Sequence, residues 1–256
     1  MLIAIGSVKS SPGTTTTALA LGGFRPGRAA LVIEADPAGG DVKAWRQLPG
    51  EPGLTGLAAQ ARHTSSIMLA DQHASVLPGG LRVITAPAGG EQAAATIGVL
   101  TGSGSGFLRE AATGDDPVLV DVGRLDPSSP ALSVLGMADR VLVVLRPSLA
   151  EVTRVIDRIG ALSGMLRPGA GLAAVLVGPG YPAAKVERAL GIEVIAQLPE
   201  DRAGAAAIAG LVPAARGLSR RPLARVARAA WARIEHAPAD SPAHLPDAPA
   251  SIGATP

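Results

Sequence analysis

Residues 9–16 read Lys9-Ser10-Ser11-Pro12-Gly13-Thr14-Thr15-Thr16, a run of small and hydroxylated residues. An apolar segment typical of a strand, Leu2–Ile5, comes before this run, and a short apolar helix, Thr17–Leu21, follows it. A strand, a turn of small residues and a helix N-terminus together form an anion site, because backbone N–H groups point outward and the helix dipole favours negative charge. The segment therefore predicts an α/β fold with a phosphate site at its first turn.

Short apolar runs recur along the rest of the chain and alternate with segments of helical composition, such as Gln92–Leu100, Leu149–Leu162 and Ala183–Leu190. Apolar runs of this length suit strands buried on both faces of a parallel sheet. Repetition of strand and crossover predicts a doubly wound α/β fold, with a mostly parallel sheet of about seven strands and helices on both faces. The predicted strands are Leu2–Ile5, Leu31–Ile33, Leu81–Ile84, Val118–Val120, Val141–Leu145, Ala174–Val177 and Val194–Ile195.

Carboxylates follow two of these predicted strands. Glu34 to Asp41 come after the second strand, and Asp121 to Asp126 come after the fourth. Ligands of such sheets bind at the carboxyl ends of the strands. We therefore expect these carboxylates to share one site with residues 9–16.

The phosphate loop resembles the deviant Walker A motif of the MinD/ParA family of ATPases, which reads Lys-Gly-Gly-x-Gly-Lys-Thr-Thr. Lys9 matches the signature lysine, Gly13 matches the last glycine, and Thr15 and Thr16 match the two threonines. Thr14 replaces the lysine that usually follows the last glycine of a P-loop. Ser10 and Ser11 also depart from the family pattern.

The resemblance extends over residues 2–215. Asp36 matches the second aspartate of the family's Asp-x-Asp-Pro-x-Gly motif, with Glu34 in place of the first, and Asp121 ends a strand of Walker B form. Residues 138–149 and 191–201 are similar to later family segments, whereas Gly178-Pro179-Gly180 stands where the family usually has an adenine-contacting asparagine. The resemblance implies a P-loop NTPase-like fold.

The same resemblance implies ATP and Mg²⁺ as cofactors and a nucleotide-dependent homodimer. Asp36 would orient the attacking water, Lys9 would reach phosphates across the dimer interface, and Thr15 and Asp121 would hold the magnesium ion. We expect a switch in partitioning or intracellular positioning, with weak or partner-stimulated hydrolysis and an unidentified protein partner. The nucleotide-binding residues would be Lys9, Ser10, Ser11, Pro12, Gly13, Thr14, Thr15 and Thr16.

Thr14 leaves an alternative open. The usual lysine neutralises charge on the β- and γ-phosphates, and such electrostatic contacts contribute a few kcal/mol, or ~10²–10³ in rate. The chain could therefore be a non-hydrolysing scaffold of the same fold, for example an adaptor for a secretion or pilus-assembly machine. A dinucleotide-binding enzyme is a weaker alternative, because no Gly-x-Gly-x-x-Gly motif follows the first strand.

The C-terminal part is basic. From Arg202 to Ile234 there are seven arginines and no acidic residue, so a net charge of +2 overall leaves about −5 for the rest. Residues 219–235 predict an amphipathic helix that ends the domain 1–235. Its basic face could be solvated while the helix packs on the sheet, or it could bind nonspecific DNA or an anionic membrane. The arginines concerned are Arg220, Arg221, Arg225, Arg228 and Arg233.

Composition narrows the remaining possibilities. The chain has no cysteine, which excludes disulfides and thiolate chemistry, and its four histidines lack zinc-site spacing. Residues 236–256, rich in proline and alanine, are predicted to be disordered. The sequence shows no signal peptide and no apolar run of membrane-spanning length, so we expect a cytoplasmic protein. Peripheral association with the inner membrane or the nucleoid stays open as an alternative.

Overall fold

A computed structural model of the chain describes residues 1–10, 12–212 and 217–236. Its strands are Leu2–Ser7 (β1), Leu31–Glu34 (β2), Ser75–Val76 (β3), Arg82–Ile84 (β4), Val118–Arg124 (β5), Arg140–Leu145 (β6), Gly171–Val177 (β7) and Glu193–Leu198 (β8). Its α-helices are Thr14–Gly23 (α1), Val42–Arg46 (α2), Leu54–Ala61 (α3), Leu69–His73 (α4), Gly90–Thr101 (α5), Ser105–Thr113 (α6), Leu149–Ser163 (α7), Ala183–Leu190 (α8), Arg202–Ala209 (α9) and Pro222–His236 (α10). Short 3₁₀ helices cover Pro130–Val134 and Leu218–Arg220.

The eight strands form one sheet in the order β3-β4-β2-β5-β1-β6-β7-β8. All neighbouring strands are parallel except β3 and β4, which are antiparallel. The doubly wound, mostly parallel α/β sheet is therefore confirmed. Because β5 lies between β1 and β2, the carboxyl ends of these three strands are adjacent, and this is where ligands of such sheets bind.

One strand was missing from the prediction of about seven. β3 has only two residues, and it pairs antiparallel with β4, Ser75 opposite Val83 and Val76 opposite Arg82. Ser75 is partly exposed and Val76 is exposed at the edge of the sheet. A segment this short and exposed shows no apolar run, so only its pairing with β4 reveals it.

Both faces of the sheet are buried, as the continuous apolar runs predicted. Along β1, Ile3 and Ile5 pack with α1 and α10, whereas Leu2 and Ala4 belong to the larger apolar cluster on the other face. This alternation follows from the period of two along a strand. The sheet is thus covered by helices on its two faces, which leaves the ends of its strands to carry polar groups.

The last helix begins later than predicted. Residue 219 lies in the 3₁₀ turn, Arg221 is extended, and α10 starts at Pro222, because the residue before a proline is disfavoured in helical conformation. Trp231 is fully buried, and its Nε1–H donates a 2.8 Å hydrogen bond to the Leu21 carbonyl of α1. The apolar face of α10 is therefore taken up by packing on this domain. Residues 236–256 were predicted to be disordered; His236 is instead the last residue of α10, and residues 237–256 lie outside the described residues.

In the part of the chain that is described, no helix is both long and apolar enough to cross a membrane.

Candidate functional site

The loop between β1 and α1 is built as an anion site. Gly13 precedes the first residue of α1 and has φ 94° and ψ 37°, a left-handed conformation that glycine adopts without steric cost. The Gly13 carbonyl accepts the N–H of Thr17 at 2.8 Å, which closes the first helical turn. The N–H groups at the start of a helix lack partners within the helix, so the start of α1 offers them to a ligand.

A cavity of about 630 Å³ opens at this loop. Its walls come from the ends of the three adjacent strands β1, β2 and β5, as expected from the positions of the polar residues in the sequence. The lining residues are Ser7, Ser10, Gly13, Thr14, Thr15, Thr16, Asp36, Pro37, Ala38, Asp41, Trp45, Gly123, Arg124, Asp126, Ser128, Ser129 and Pro130.

Two loop residues of the expected set lie away from the cavity lining. Lys9 is exposed and Pro12 is buried, and neither lines the cavity. Ser11 lies outside the described residues. The structure thus brings the threonines of the loop together with Asp36, whereas Lys9 projects from the surface of the domain.

Asp121 lies on β5 next to this loop and is 1% exposed. Its Oδ1 accepts the Gly123 N–H at 3.1 Å, whereas Oδ2 is buried and has no hydrogen-bond partner of standard geometry among the described residues. Burial raises the pKa of Asp121 to about 7; the nearby Thr15 hydroxyl and the Gly123 N–H oppose this shift, and the charge of Glu34 adds to it. A buried carboxylate oxygen without a partner is costly unless a cation or a proton compensates it.

Thr14 provides a second buried polar atom without a partner. Its side chain is 7% exposed, and its hydroxyl oxygen makes no hydrogen bond within the described chain. Thr14 is the first residue of α1 and lines the cavity. A hydroxyl can donate to an anion, but it supplies no positive charge.

Asp36 lies across the cavity, at the end of β2. Its Oδ1 accepts the Ala38 N–H at 2.8 Å. Burial raises the pKa of Asp36; the Ala38 N–H lowers it, the charge of Asp41 raises it, and Arg124 lowers it. The Asp36 carboxyl group occupies the space where a side chain at position 123 would begin, because a Cβ on Gly123 would lie 2.2 Å from the Asp36 Cγ. The φ of 61° at this position also favours glycine. Sequence reasoning did not single out Gly123 for this contact.

Glu34 has a structural role at the same edge of the sheet. It is 2% exposed, and its Oε1 accepts the N–H groups of Asp41 at 2.8 Å and Val42 at 3.1 Å. Its Oε2 accepts the Ala86 N–H at 3.0 Å, which connects the loop after β2 to the end of β4. Burial raises the pKa of Glu34 and these three N–H donors lower it. Glu34 therefore holds the backbone that carries Asp36.

A second cavity of about 240 Å³ adjoins the first, because both are lined by Gly13 and Thr16. The Arg146 Nη1 and Glu200 Oε1 atoms form an ion pair of 3.1 Å at its wall. Its other lining residues include apolar side chains of β7, β8 and α10: Val177, Leu198 and Leu223. Gly178 follows β7 here, and its main-chain carbonyl accepts the Gln197 Nε2–H at 3.0 Å.

The five arginines predicted for DNA or membrane contact are not equivalent. Arg221 donates to both carboxylate oxygens of Asp201, and Arg233 Nε donates to Glu193 at 2.9 Å. Arg220, Arg225 and Arg228 are exposed. Among the described residues, Arg220, Arg225 and Arg228 have no ion pair with a carboxylate, whereas Arg221 and Arg233 each have one.

Comparison by sequence identifies no relative: no protein-family model matches the chain, and no curated protein matches it. Comparison by structure finds a ParA family ATPase from Chlorobium tepidum, with TM-score 0.70, 17% identity, and coverage of 91% of this chain and 97% of that one. The cell division ATPase MinD of Pyrococcus furiosus has TM-score 0.69 and 18% identity, with 91% and 98% covered. The ATP complex of Cyanothece McdA(D38A) has TM-score 0.61 and 16% identity, with 91% and 95% covered.

These similarities extend over nearly the whole length of each chain and confirm the fold predicted from the sequence motifs. The chain has the fold of the MinD and ParA ATPases. At identities of 14–18%, the similarity to the MinD and ParA structures concerns the fold alone. Function must therefore be argued from the site.

Proposed function

We propose that this chain is an ATP- and Mg²⁺-binding protein that switches between monomer and homodimer with its nucleotide state, in partitioning or intracellular positioning. The observation that carries the proposal is a pair of buried polar atoms that have no hydrogen-bond partner of standard geometry in the described chain: Thr14 Oγ1 at the start of α1 and Asp121 Oδ2 on β5. Natural proteins rarely retain such atoms without a ligand, a water molecule or an ion to satisfy them. The Thr14 hydroxyl can donate a hydrogen bond to a phosphate, and the Asp121 carboxylate oxygen can bind a cation.

The residues present fit a magnesium ion accompanied by phosphates. Mg²⁺ prefers oxygen ligands and is typically held by one or two carboxylates together with the phosphates of a substrate. Thr15 and Asp121 would hold it here, directly or through its water shell, and it would supply positive charge to the phosphates. Since a cation also favours the charged form of Asp121, binding would release the proton that this carboxyl group holds near neutral pH.

The remaining site residues have distinct roles in this proposal. The N–H groups at the start of α1 bind phosphate oxygens, and the Thr14 hydroxyl donates one more hydrogen bond. Asp36 accepts a hydrogen bond from a water molecule and holds it near the terminal phosphate, because an unoriented water is a poor nucleophile. The second cavity, continuous with the first at Gly13 and Thr16, would take the base. Without a lysine at position 14, we expect hydrolysis to be slow or to depend on a partner.

Lys9 connects nucleotide to dimerisation in this proposal. It is exposed at the start of the loop and does not line its own cavity, so a contact with phosphates bound in a second copy of the chain suits it better. The MinD structure from Aquifex aeolicus that contains MinC shows that a protein of this fold binds a protein partner. We propose a homodimer and an unidentified protein partner for this chain as well. Arg220, Arg225 and Arg228 are the residues that would contact DNA or an anionic membrane.

A second candidate function is a non-hydrolysing scaffold of the same fold. Thr14 favours it, because a hydroxyl in place of the lysine removes a full charge from the region where charge develops during phosphoryl transfer. In that case nucleotide would bind and stabilise a dimer without turnover, or would not bind at all. Release of phosphate from ATP distinguishes a slow ATPase from a scaffold.

Sedimentation velocity tests the proposed switch directly. We expect the wild-type chain to sediment as a monomer with ADP and Mg²⁺ and as a dimer with ATP and Mg²⁺. Lys9→Ala should remain a monomer in both conditions, whereas Arg154→Ala, which removes an exposed arginine of α7 outside the cavities described here, should behave as wild type. A chain whose sedimentation is the same with ATP, with ADP and without nucleotide would contradict the switch.

A further inference from the structure

Arg124 is the cationic side chain among the described residues that line the main cavity. The acidic residues of the same lining are Asp36, Asp41 and Asp126, and Asp121 is buried on β5. A nucleoside triphosphate carries several negative charges, so a cavity with three carboxylates and no cation would repel it. The position of Arg124 therefore matters for any phosphate that enters.

The backbone fixes where Arg124 emerges. Arg124 is the register partner of Ser7, and the next N–H, of Leu125, donates to the Ser7 carbonyl at 2.9 Å. β5 has an extra residue at Val122, because Ile5 pairs with Asp121 whereas Gly6 pairs with Gly123. Val122 and Leu125 are three positions apart, yet both belong to the same apolar cluster. The extra residue therefore interrupts the alternation of side chains between the two faces of the sheet.

This irregularity determines which side of the sheet receives Arg124. In a regular strand, residue 124 would follow residues 118, 120 and 122 into the apolar cluster. Because Leu125 takes that place, Arg124 is exposed and lines the cavity instead. β5 lies between β1 and β2, so Arg124 stands between the phosphate loop and Asp36. Its positive charge lowers the pKa of Asp36, whereas burial, the largest effect, raises it.

We propose that Arg124 contacts the terminal phosphate of a bound nucleoside triphosphate and supplies the positive charge that Thr14 cannot supply. Arginine suits this role because its planar guanidinium donates paired hydrogen bonds to phosphate oxygens. Its guanidinium makes no ion pair with a carboxylate in the described chain, so it is free to bind a ligand. The assignment rests on the proposed nucleotide site and adds a specificity: Arg124 favours ATP over ADP.

Calorimetric titration of ATP and ADP, each with Mg²⁺, into four proteins tests this assignment: wild type, Arg124→Ala, Arg124→Lys and Arg154→Ala. Loss of a charge-assisted hydrogen bond weakens binding by about 10- to 100-fold, and we expect the ATP dissociation constant of Arg124→Ala to rise by that factor. The ADP constant should change by less than about threefold, because ADP lacks the terminal phosphate. Arg124→Lys should recover only part of the ATP affinity, because lysine restores the charge but not the paired hydrogen bonds. Arg154→Ala should match wild type.

Each other outcome leads to a definite conclusion. An ATP constant of Arg124→Ala within twofold of wild type would overturn the role of Arg124 while leaving the nucleotide site in place. Equal losses for ATP and ADP would overturn the assignment to the terminal phosphate. No nucleotide binding by the wild type would overturn the proposed function and this assignment together. Thermal unfolding of each variant separates these results from misfolding, and the exposed Arg124 side chain should leave the midpoint unchanged.

Discussion

Asp121→Asn should stabilise the ligand-free protein above neutral pH. The carboxylate is buried beside Glu34 and Asp36. Its Oδ2 has no hydrogen-bond partner of standard geometry among the described residues, although the Thr15 hydroxyl lies near enough to lower the pKa of Asp121. An amide of the same shape keeps an acceptor for the Gly123 N–H and removes the buried charge. The wild-type chain therefore carries a carboxylate that destabilises its apo form, as expected of a group retained for a ligand.

The size of the effect follows from the shift in the pKa of Asp121, from 3.8 to about 7. A folded-state pKa above the unfolded value means that the folded state binds the proton more tightly. The destabilisation is thus absent below about pH 4, grows as the pH rises, and is complete above about pH 7. At 1.36 kcal/mol for each pKa unit, it reaches about 4 kcal/mol at pH 8.

Urea unfolding at pH 5 and pH 8 measures this effect. The advantage of Asp121→Asn over wild type should be larger at pH 8 than at pH 5 by about 3 kcal/mol, because most of the destabilisation by the charged carboxylate develops above pH 5. Burial of the amide costs about the same at both pH values and cancels in this difference. Asp126→Asn, at an exposed residue of the same cavity, is the control. A stability difference between Asp121→Asn and wild type that does not change with pH would refute the reasoning.

Three further predictions concern the site and the basic face. Gly123→Ala should lower the free energy of unfolding by about 1–3 kcal/mol and weaken ATP turnover, since φ of 61° and a Cβ 2.2 Å from the Asp36 Cγ both oppose a side chain. Asp36→Ala should slow the release of phosphate from ATP without changing the ATP dissociation constant. The double variant Arg225→Ala, Arg228→Ala should weaken salt-sensitive binding to DNA or to anionic vesicles without changing the thermal midpoint, whereas Arg221→Ala should lower that midpoint.

Distinct results would contradict these three predictions. Wild-type stability in Gly123→Ala would mean that Asp36 moves aside freely. Unchanged turnover in Asp36→Ala would remove this carboxylate from the mechanism. If the arginine double variant binds DNA and vesicles as well as wild type does, α10 has only a structural role. That role is packing through the buried Trp231 and its hydrogen bond to Leu21.

The main strands could be predicted from the sequence because burial on both faces produces uninterrupted apolar runs, such as 141–145 in β6. The order of the strands could not be derived from such runs, since they do not specify which strands pair. Thr14, Thr15 and Thr16 line one cavity with Asp36, because parallel strands carry their following loops to the same edge of the sheet. The start of α10 at Pro222 could have been predicted, as proline restricts the residue before it.

Other parts of the site depend on tertiary contacts that a sequence pattern does not contain. Glu34 has a structural role because its Oε2 accepts the Ala86 N–H at 3.0 Å. The two residues are 52 positions apart in the sequence, so no local pattern indicates this contact. Arg124 lines the cavity because β5 has an extra residue at Val122, which shifts the alternation of its side chains. The sequence shows that a charged residue, Arg124, follows Asp121-Val122-Gly123. The direction in which its side chain points depends on the irregularity in β5.

We propose that the buried Thr14 hydroxyl at the start of α1 and the buried Asp121 carboxylate of β5 bind nucleotide and metal. Calorimetric titration of the wild-type protein with ATP at pH 8, with and without Mg²⁺, and of Asp121→Asn under the same conditions, tests it most directly. We expect wild type to bind ATP more tightly with Mg²⁺ than without it, and Asp121→Asn to lose that dependence on magnesium. Absence of binding at millimolar ATP, or a magnesium dependence that survives in Asp121→Asn, would contradict the claim.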